Sequence, residues 1–237
     1  MLHATFSAMI LISVALGSLD AANIEGTVIV KRKLSNRTIT ASASSYQRGA
    51  SVQLAVDVNE DPLSFERRHV VIFLDGPVDS NSANAVPVHA VMEQKNRRFI
   101  PDLLVVPAGS TVSLPNQDAI FHNVFSLSKP KIFDLGSYPK GETRNVTLLN
   151  PGVVFVNCHL HPNMGAAIFV TPNQWNTQAN GVGHFQLSNV PPGDYTLVAW
   201  HKAAGFFRQK IHVGNDDVTA IEFLIPFNAI DKGNRRD

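Results

Sequence analysis

With 237 residues, 44% of them apolar and 16% charged, the chain is a globular protein with room for one large domain or two small ones. A formal net charge of +1, with no like-charge block beyond Lys31-Arg32-Lys33 and Arg235-Arg236, argues against a nucleic-acid binder, which carries a basic stripe. No Ser-His-Asp ordering, phosphate loop or paired-carboxylate motif stands out, so hydrolase and transferase chemistry lack support and no enzyme is expected.

From the N-terminus, residues 1–22 read as an export signal. Met9–Leu19 is an apolar run too short to span a bilayer comfortably, and small residues stand at Gly17, Ser18, Ala21 and Ala22. The segment before the run has only His3 and no Lys or Arg. No later segment is apolar enough to cross a membrane, so the expected location is periplasmic or otherwise exported. The chain has a single cysteine, Cys158, and an intramolecular disulfide is therefore impossible. In an oxidising compartment such a thiol is an intermolecular bridge, an inert core residue or a functional ligand.

The rest of the chain predicts an all-β protein. Short β-branched or aromatic runs alternate with Gly, Pro, Asn and Asp turns. The runs are Ile24–Val30, Val52–Val58, Val70–Leu74, Leu103–Val106, Thr111–Leu114, Val146–Leu149, Val153–Asn157, Ala166–Val170, Tyr195–Trp200 and Ile221–Ile225. Pro77–Pro87 is small, polar and proline-flanked and reads as a linker, and Pro172–Gly183 as a second separator. Three zones follow, at about 23–76, 88–171 and 180–227.

The chemistry concentrates in the middle zone. Asn157-Cys158-His159-Leu160-His161-Pro162-Asn163-Met164 lies between two apolar runs and reads as a loop joining two strands. Upstream, Phe121-His122-Asn123-Val124-Phe125 follows Asp118 and precedes another β-rich run. A thiolate, two imidazoles and a thioether form a trigonal set with a long axial ligand, which suits both Cu(I) and Cu(II). Structural zinc sites are typically richer in cysteine, so one Cys with a Met three residues beyond a His favours copper. Taken singly, Cys158 is a small buried hydrophobe, Met164 a core filler and His122 a satisfied strand-end histidine. Their conjunction in C-x₂-H-x₂-M form makes a structural reading of all of them improbable.

Residues 88–171 resemble a cupredoxin domain of the plastocyanin and amicyanin type, including those of methylamine utilisation. The resemblance rests on Phe99-Ile100-Pro101, Leu103–Val106, Pro107-Ala108-Gly109-Ser110-Thr111-Val112, Asn116, His122-Asn123-Val124, Gly141-Glu142-Thr143, Pro151-Gly152 and the Cys158–Met164 loop. The short C-x₂-H-x₂-M spacing is similar to amicyanin. The resemblance implies a Greek-key β-barrel or sandwich and one mononuclear, blue (type 1-like) copper ion cycling between Cu(I) and Cu(II). His122, Cys158 and His161 would be strong ligands and Met164 the axial one. Asn123 would tie the two ligand loops together, and Pro162 would stiffen the loop. His159 is expected to point away from the metal.

The C-terminal pattern from Gly183-His184-Phe185 to Val190-Pro191-Pro192-Gly193-Asp194-Tyr195-Thr196-Leu197 resembles transthyretin-like, carboxypeptidase regulatory-like modules. Gly26-Thr27-Val28 and Val70–Gly76 match the opening strands of such modules. The expectation is one small β-sandwich split between 23–76 and 180–227, with the cupredoxin inserted at 88–171. The chain is then expected to carry single electrons between periplasmic redox partners that dock near His161. The alternative is a copper carrier or chaperone that hands its ion on. A second metal site at His89, His184, His201 or His212 is not expected, because scattered histidines rarely converge.

Overall fold

The computed structural model describes residues 21–35, 61–76 and 86–226, and over these the protein is nearly all β. Residues 1–20 of the expected export signal, the strand predicted at Val52–Val58 and most of the Pro77–Pro87 linker lie outside the described residues, whereas Ala22, the last residue of that expected signal, opens a strand.

Strand β1 (Ala22–Val30) buries every second residue, because Ala22, Ile24, Val28 and Val30 stand on one face. It pairs antiparallel with β14 (His184–Val190) and parallel with β17 (Val218–Ile225). Gly26 is required there, since a Cβ would lie 2.5 Å from the Ile221 carbonyl oxygen and from the Phe185 ring. Facing this sheet is a second one, in the order β13 (Asn176–Gln178), β2 (Val70–Asp75), β15 (Gly193–His201) and β16 (Gly205–Val213). Strands from both ends of the chain therefore share two sheets, and Ile24, Val28, Ile72, Leu74, Phe185, Leu187, Leu197 and Phe223 form their common core. The stretch Pro172–Gly183, read from its polarity as a separator, contributes β13 as an edge strand. Asn173 fixes it by donating to the Leu74 carbonyl at 2.8 Å.

The middle of the chain builds another pair of sheets. One is β10 (Thr143–Leu148), β7 (Ser110–Pro115) and β3 (His89–Val91). The other has five strands: β6 (Leu103–Pro107), β12 (Gly165–Thr171), β11 (Gly152–Asn157), β8 (His122–Ser128) and β9 (Lys131–Tyr138). Val112, Leu114, Val146 and Leu148 pack against Val124, Val154, Val156 and Ile168 between them. A hairpin of β4 (Glu93–Lys95) and β5 (Arg98–Ile100) turns at Asn96 and Arg97, both at φ 55°.

A third apolar cluster joins the two halves. Val71, Phe73, Val198 and Trp200 from β2 and β15 meet Leu103, Ala167 and Phe169 from β6 and β12, all buried. Phe169 has its ring centroid 5.2 Å from Phe73 and 5.0 Å from Trp200.

One short helix, α1 (Ser64–Arg68), inserts a charge into this apolar framework. Glu66 is 1% exposed, accepts from Ser35 N–H at 3.1 Å and Ser35 Oγ at 2.7 Å, and faces His201 Nε2 at 3.2 Å. His201, 2% exposed, accepts at Nδ1 from Ala203 N–H at 3.2 Å, so its Nε2 carries the proton toward Glu66. Burial pushes the His201 pKa down, and its neighbouring carboxylate only partly offsets this. Burial pushes the Glu66 carboxyl up, but hydrogen bonds from Ser35 and Leu34 and the charge of His201 outweigh it, leaving the group below its usual value. Both groups thus bind protons more weakly folded than unfolded, and acid destabilises the fold. We expect the melting temperature to fall as pH drops below 6.5, the ordinary histidine value, and to fall again below 4.5, that of glutamate. Thermal melts at three pH values check this: His201→Asn should make the first step smaller, and a variant that melts with the same pH dependence as wild type would contradict it.

Candidate metal centre

The Cys158–Met164 loop connects β11 to β12, and the pairing of Asn157 with Gly165 closes its base. Within it, Met164 N–H donates to the His161 carbonyl at 2.8 Å, making a turn with Pro162 and Asn163 at its corners. Proline suits the first corner because its φ is already set. Cys158 N–H then donates to the Met164 carbonyl at 3.2 Å. On the other side Asn157 pairs with Phe125, which brings β8 and its leading residue His122 against the loop.

Three side chains converge at this junction. His122 Nδ1 lies 3.1 Å from His161 Nδ1, Cys158 Sγ lies 3.8 Å from His122 Nδ1 and 3.6 Å from His161 Nδ1. A point in the plane of these three atoms lies roughly 2.0 Å from each, within reach of the roughly 2.0–2.3 Å of metal–imidazole and metal–thiolate bonds. Among the described residues this is the one group of three or more His, Cys, Asp or Glu side chains placed to hold a metal ion. His89, His184, His201 and His212 form no second group; His201 is taken up by Glu66, and His212 pairs with Asp194 at 2.8 Å on the surface.

His122 is fully buried and Cys158 is 4% exposed, while His161 is partly open. Burial pushes the His161 pKa down, helped by the charges of His122 and Arg97 and opposed by Asp118. The ring is therefore neutral near pH 7, the form that ligates. Met164 is 2% exposed and lies in the same apolar cluster as Cys158, Val124 and Tyr138. Tyr138, paired with His122 across β8 and β9, is held by its hydroxyl, which donates to the Leu114 carbonyl at 2.8 Å and accepts from Gln94 Nε2 at 2.6 Å; burial pushes its pKa up to about 12.

The neighbours differ from expectation in one respect. Asn123 donates from Nδ2 to Asp134 Oδ1 on β9 at 2.7 Å, so its tie runs to the adjacent hairpin strand and not directly to the cysteine loop. Its Oδ1 is buried with no hydrogen-bond partner. The loop meets the same carboxylate from its own side, with His159 Nε2 3.9 Å from Asp134 Oδ2. The His159 ring stacks on Phe125 at 3.7 Å and 2°, away from the three converging atoms.

Sequence reasoning assigned no role to Asp118, whose carboxylate Oδ2 lies 2.9 Å from His122 Nε2. The D-x₃-H spacing was the available signal, but it gains meaning only from the fold around it.

No family model matches the sequence, and no curated protein matches it. Among solved structures, parts of the chain are similar to a copper-containing nitrite reductase from Thermus scotoductus, at 24% identity and a TM-score of 0.34 over 42% of this chain. The match spans only 25% of the reductase. A reduced amicyanin variant is similar over 35% of this chain and 82% of its own, at 23% identity and a TM-score of 0.33. A purple cupredoxin from Nitrosopumilus maritimus is similar over 34% and 96%, at 23% identity and a TM-score of 0.31.

Proposed function

We propose that residues 88–171 are a cupredoxin domain holding one copper ion, and that the protein is an exported one-electron carrier. The observation that carries this reading is the convergence of one thiol and two imidazoles, from the Cys158–Met164 loop and the start of β8, onto a single point, with a buried methionine in the same cluster. In this reading His122, Cys158 and His161 would hold the ion and Met164 would offer a weaker thioether donor. A bound copper supplies a Cu(I)/Cu(II) couple, which a His₂Cys set with a weak thioether accommodates in both states. The chain's own part is to keep the donor set rigid. The loop is closed at its base by β11–β12 pairing, and His122 is buried at the start of β8, so the donor atoms would be held in place whichever oxidation state the ion took.

Redox partners dock, on this reading, where His161 is partly open and Ile120, Phe121 and Leu160 are 41%, 56% and 53% exposed. The sandwich formed by both chain ends is read as a transthyretin-like module serving as spacer or docking platform, with the cupredoxin inserted between its strands.

An electron carrier cycles its ion, whereas a copper carrier releases it. Repeated reduction and reoxidation of the loaded protein beside a competing Cu(I) chelator separates the two. Retention of copper over many cycles with a reversible voltammetric wave is the expected result. Stoichiometric loss to the chelator in the first reduction would overturn the electron-carrier reading in favour of the carrier.

A further inference from the structure

We propose that Asp118 is a positioning residue of the metal centre, fixing His122 in the tautomer that presents Nδ1 to Cys158 and His161. The inference rests on the copper reading of this site and adds to it a residue outside the ligand set.

The chemistry follows from what each atom can donate. The Asp118 carboxylate, its side chain 14% exposed, is an acceptor only, so His122 Nε2 at 2.9 Å must be the protonated nitrogen. A neutral imidazole protonated at Nε2 has its free lone pair at Nδ1, the atom that faces Cys158 Sγ and His161 Nδ1. With the opposite tautomer, Nδ1 would carry a proton into the ligand site and a metal would first have to displace it. A carboxylate behind a ligating histidine also raises the basicity of the ring.

Asp118 is itself held from a distant part of the chain. The backbone N–H groups of Asn96 and Arg97 donate to its two oxygens at 2.7 and 2.8 Å. These residues form the β4–β5 turn, and both adopt the left-handed region that lets successive N–H groups point to one side. Asp118 N–H donates to Asn116 Oδ1 at 2.9 Å, while Asn116 Nδ2 donates to the Ile120 and Tyr138 carbonyls. Every oxygen of the carboxylate thus has a donor, and the side chain has one orientation in which all three are met. The hairpin turn, the aspartate and the histidine act as one chain of hydrogen bonds that aims Nδ1.

The test has two arms, of which the first needs no metal and no variant. Nitrogen-15 NMR of the imidazoles in the metal-free full chain should show His122 protonated at Nε2; a proton at Nδ1 would overturn the proposal. The second arm is Asp118→Asn, where the amide must offer an N–H to one of three donors and the ring is driven toward accepting at Nε2. The expected result is a population of the Nδ1-protonated ring together with Cu(I) affinity, by chelator competition, lower on the order of 10- to 100-fold. Wild-type affinity with an unchanged tautomer would contradict the proposal. Because the tautomer is read without copper, a chain that failed to bind copper would refute the proposed function and leave the first arm to decide this one.

Discussion

On the proposed copper reading, the loaded protein has an intense visible thiolate-to-copper band, and replacing Cys158 with serine is expected to abolish it. The band of a His₂Cys site arises from transfer of thiolate electron density to the metal, and a serine hydroxyl near neutral pH supplies neither the charge nor the softness. Cys158 is the only cysteine of the chain, so no neighbouring thiol can substitute. The loss of affinity should exceed the roughly 10- to 100-fold typical of losing an outer partner of a ligand, since a direct bond disappears. Serine also places a hydroxyl in a site that is 4% exposed, so Cys158→Ala is the better control for folding. Both variants should keep the wild-type circular dichroism while the intense visible absorption vanishes. An intense band surviving in either variant would show that another group donates to the metal.

Phe169→Ala is expected to be the most destabilising substitution at the contact between the two pairs of sheets. Phe169 is 2% exposed on β12 and packs against Phe73 of β2 and Trp200 of β15. Its neighbour on the same strand, Ile168, points to the other side, into the core that also holds Cys158 and Met164. Truncation of a buried phenylalanine costs about 3–5 kcal/mol, part of it for the cavity left behind. For a chain of this size that lowers the melting temperature on the order of 10 °C. The wild-type protein should melt in one transition because the cluster around Phe169 is shared, and the variant should show two. A single transition within about 2 °C of wild type would mean that the contact contributes little to either half.

How much of this was legible in the sequence depends on what each signal required. Strands β1, β2, β11, β12 and β17 were read to within a few residues, because their Val, Ile and Phe runs are buried and the run itself is the signal. Strands β9 and β16 escaped as named runs. Their residues alternate between half-buried and exposed positions at sheet edges, so polar residues interrupt them. Helix α1 has five residues and no side-chain cap at its start, and its meaning lies in Glu66 reaching His201, 135 positions later in the chain, which no local pattern encodes.

The candidate metal centre divides in the same way. The expected ligands Cys158, His161 and Met164 stand close in sequence, and the turn closed by Met164 N–H and the His161 carbonyl accounts for that spacing. His122 was visible through the motif it shares with Asn123. Asn123 was expected at the cysteine loop, but its amide turns to Asp134, because β9 is its hydrogen-bonded neighbour and offers a carboxylate at 2.7 Å. Asp118 gained its meaning only when the β4–β5 turn folded over it, a contact between residues more than 20 positions apart.

The most direct test of the account is X-ray absorption at the copper edge of the full chain loaded with one equivalent of the ion. The account predicts one short copper–sulfur bond and two copper–imidazole contributions, retained in both oxidation states with little change in distance. A shell of nitrogen and oxygen alone, or one with several short sulfurs, would contradict the assignment of His122, Cys158 and His161 as the ligands and with it the electron-carrier function.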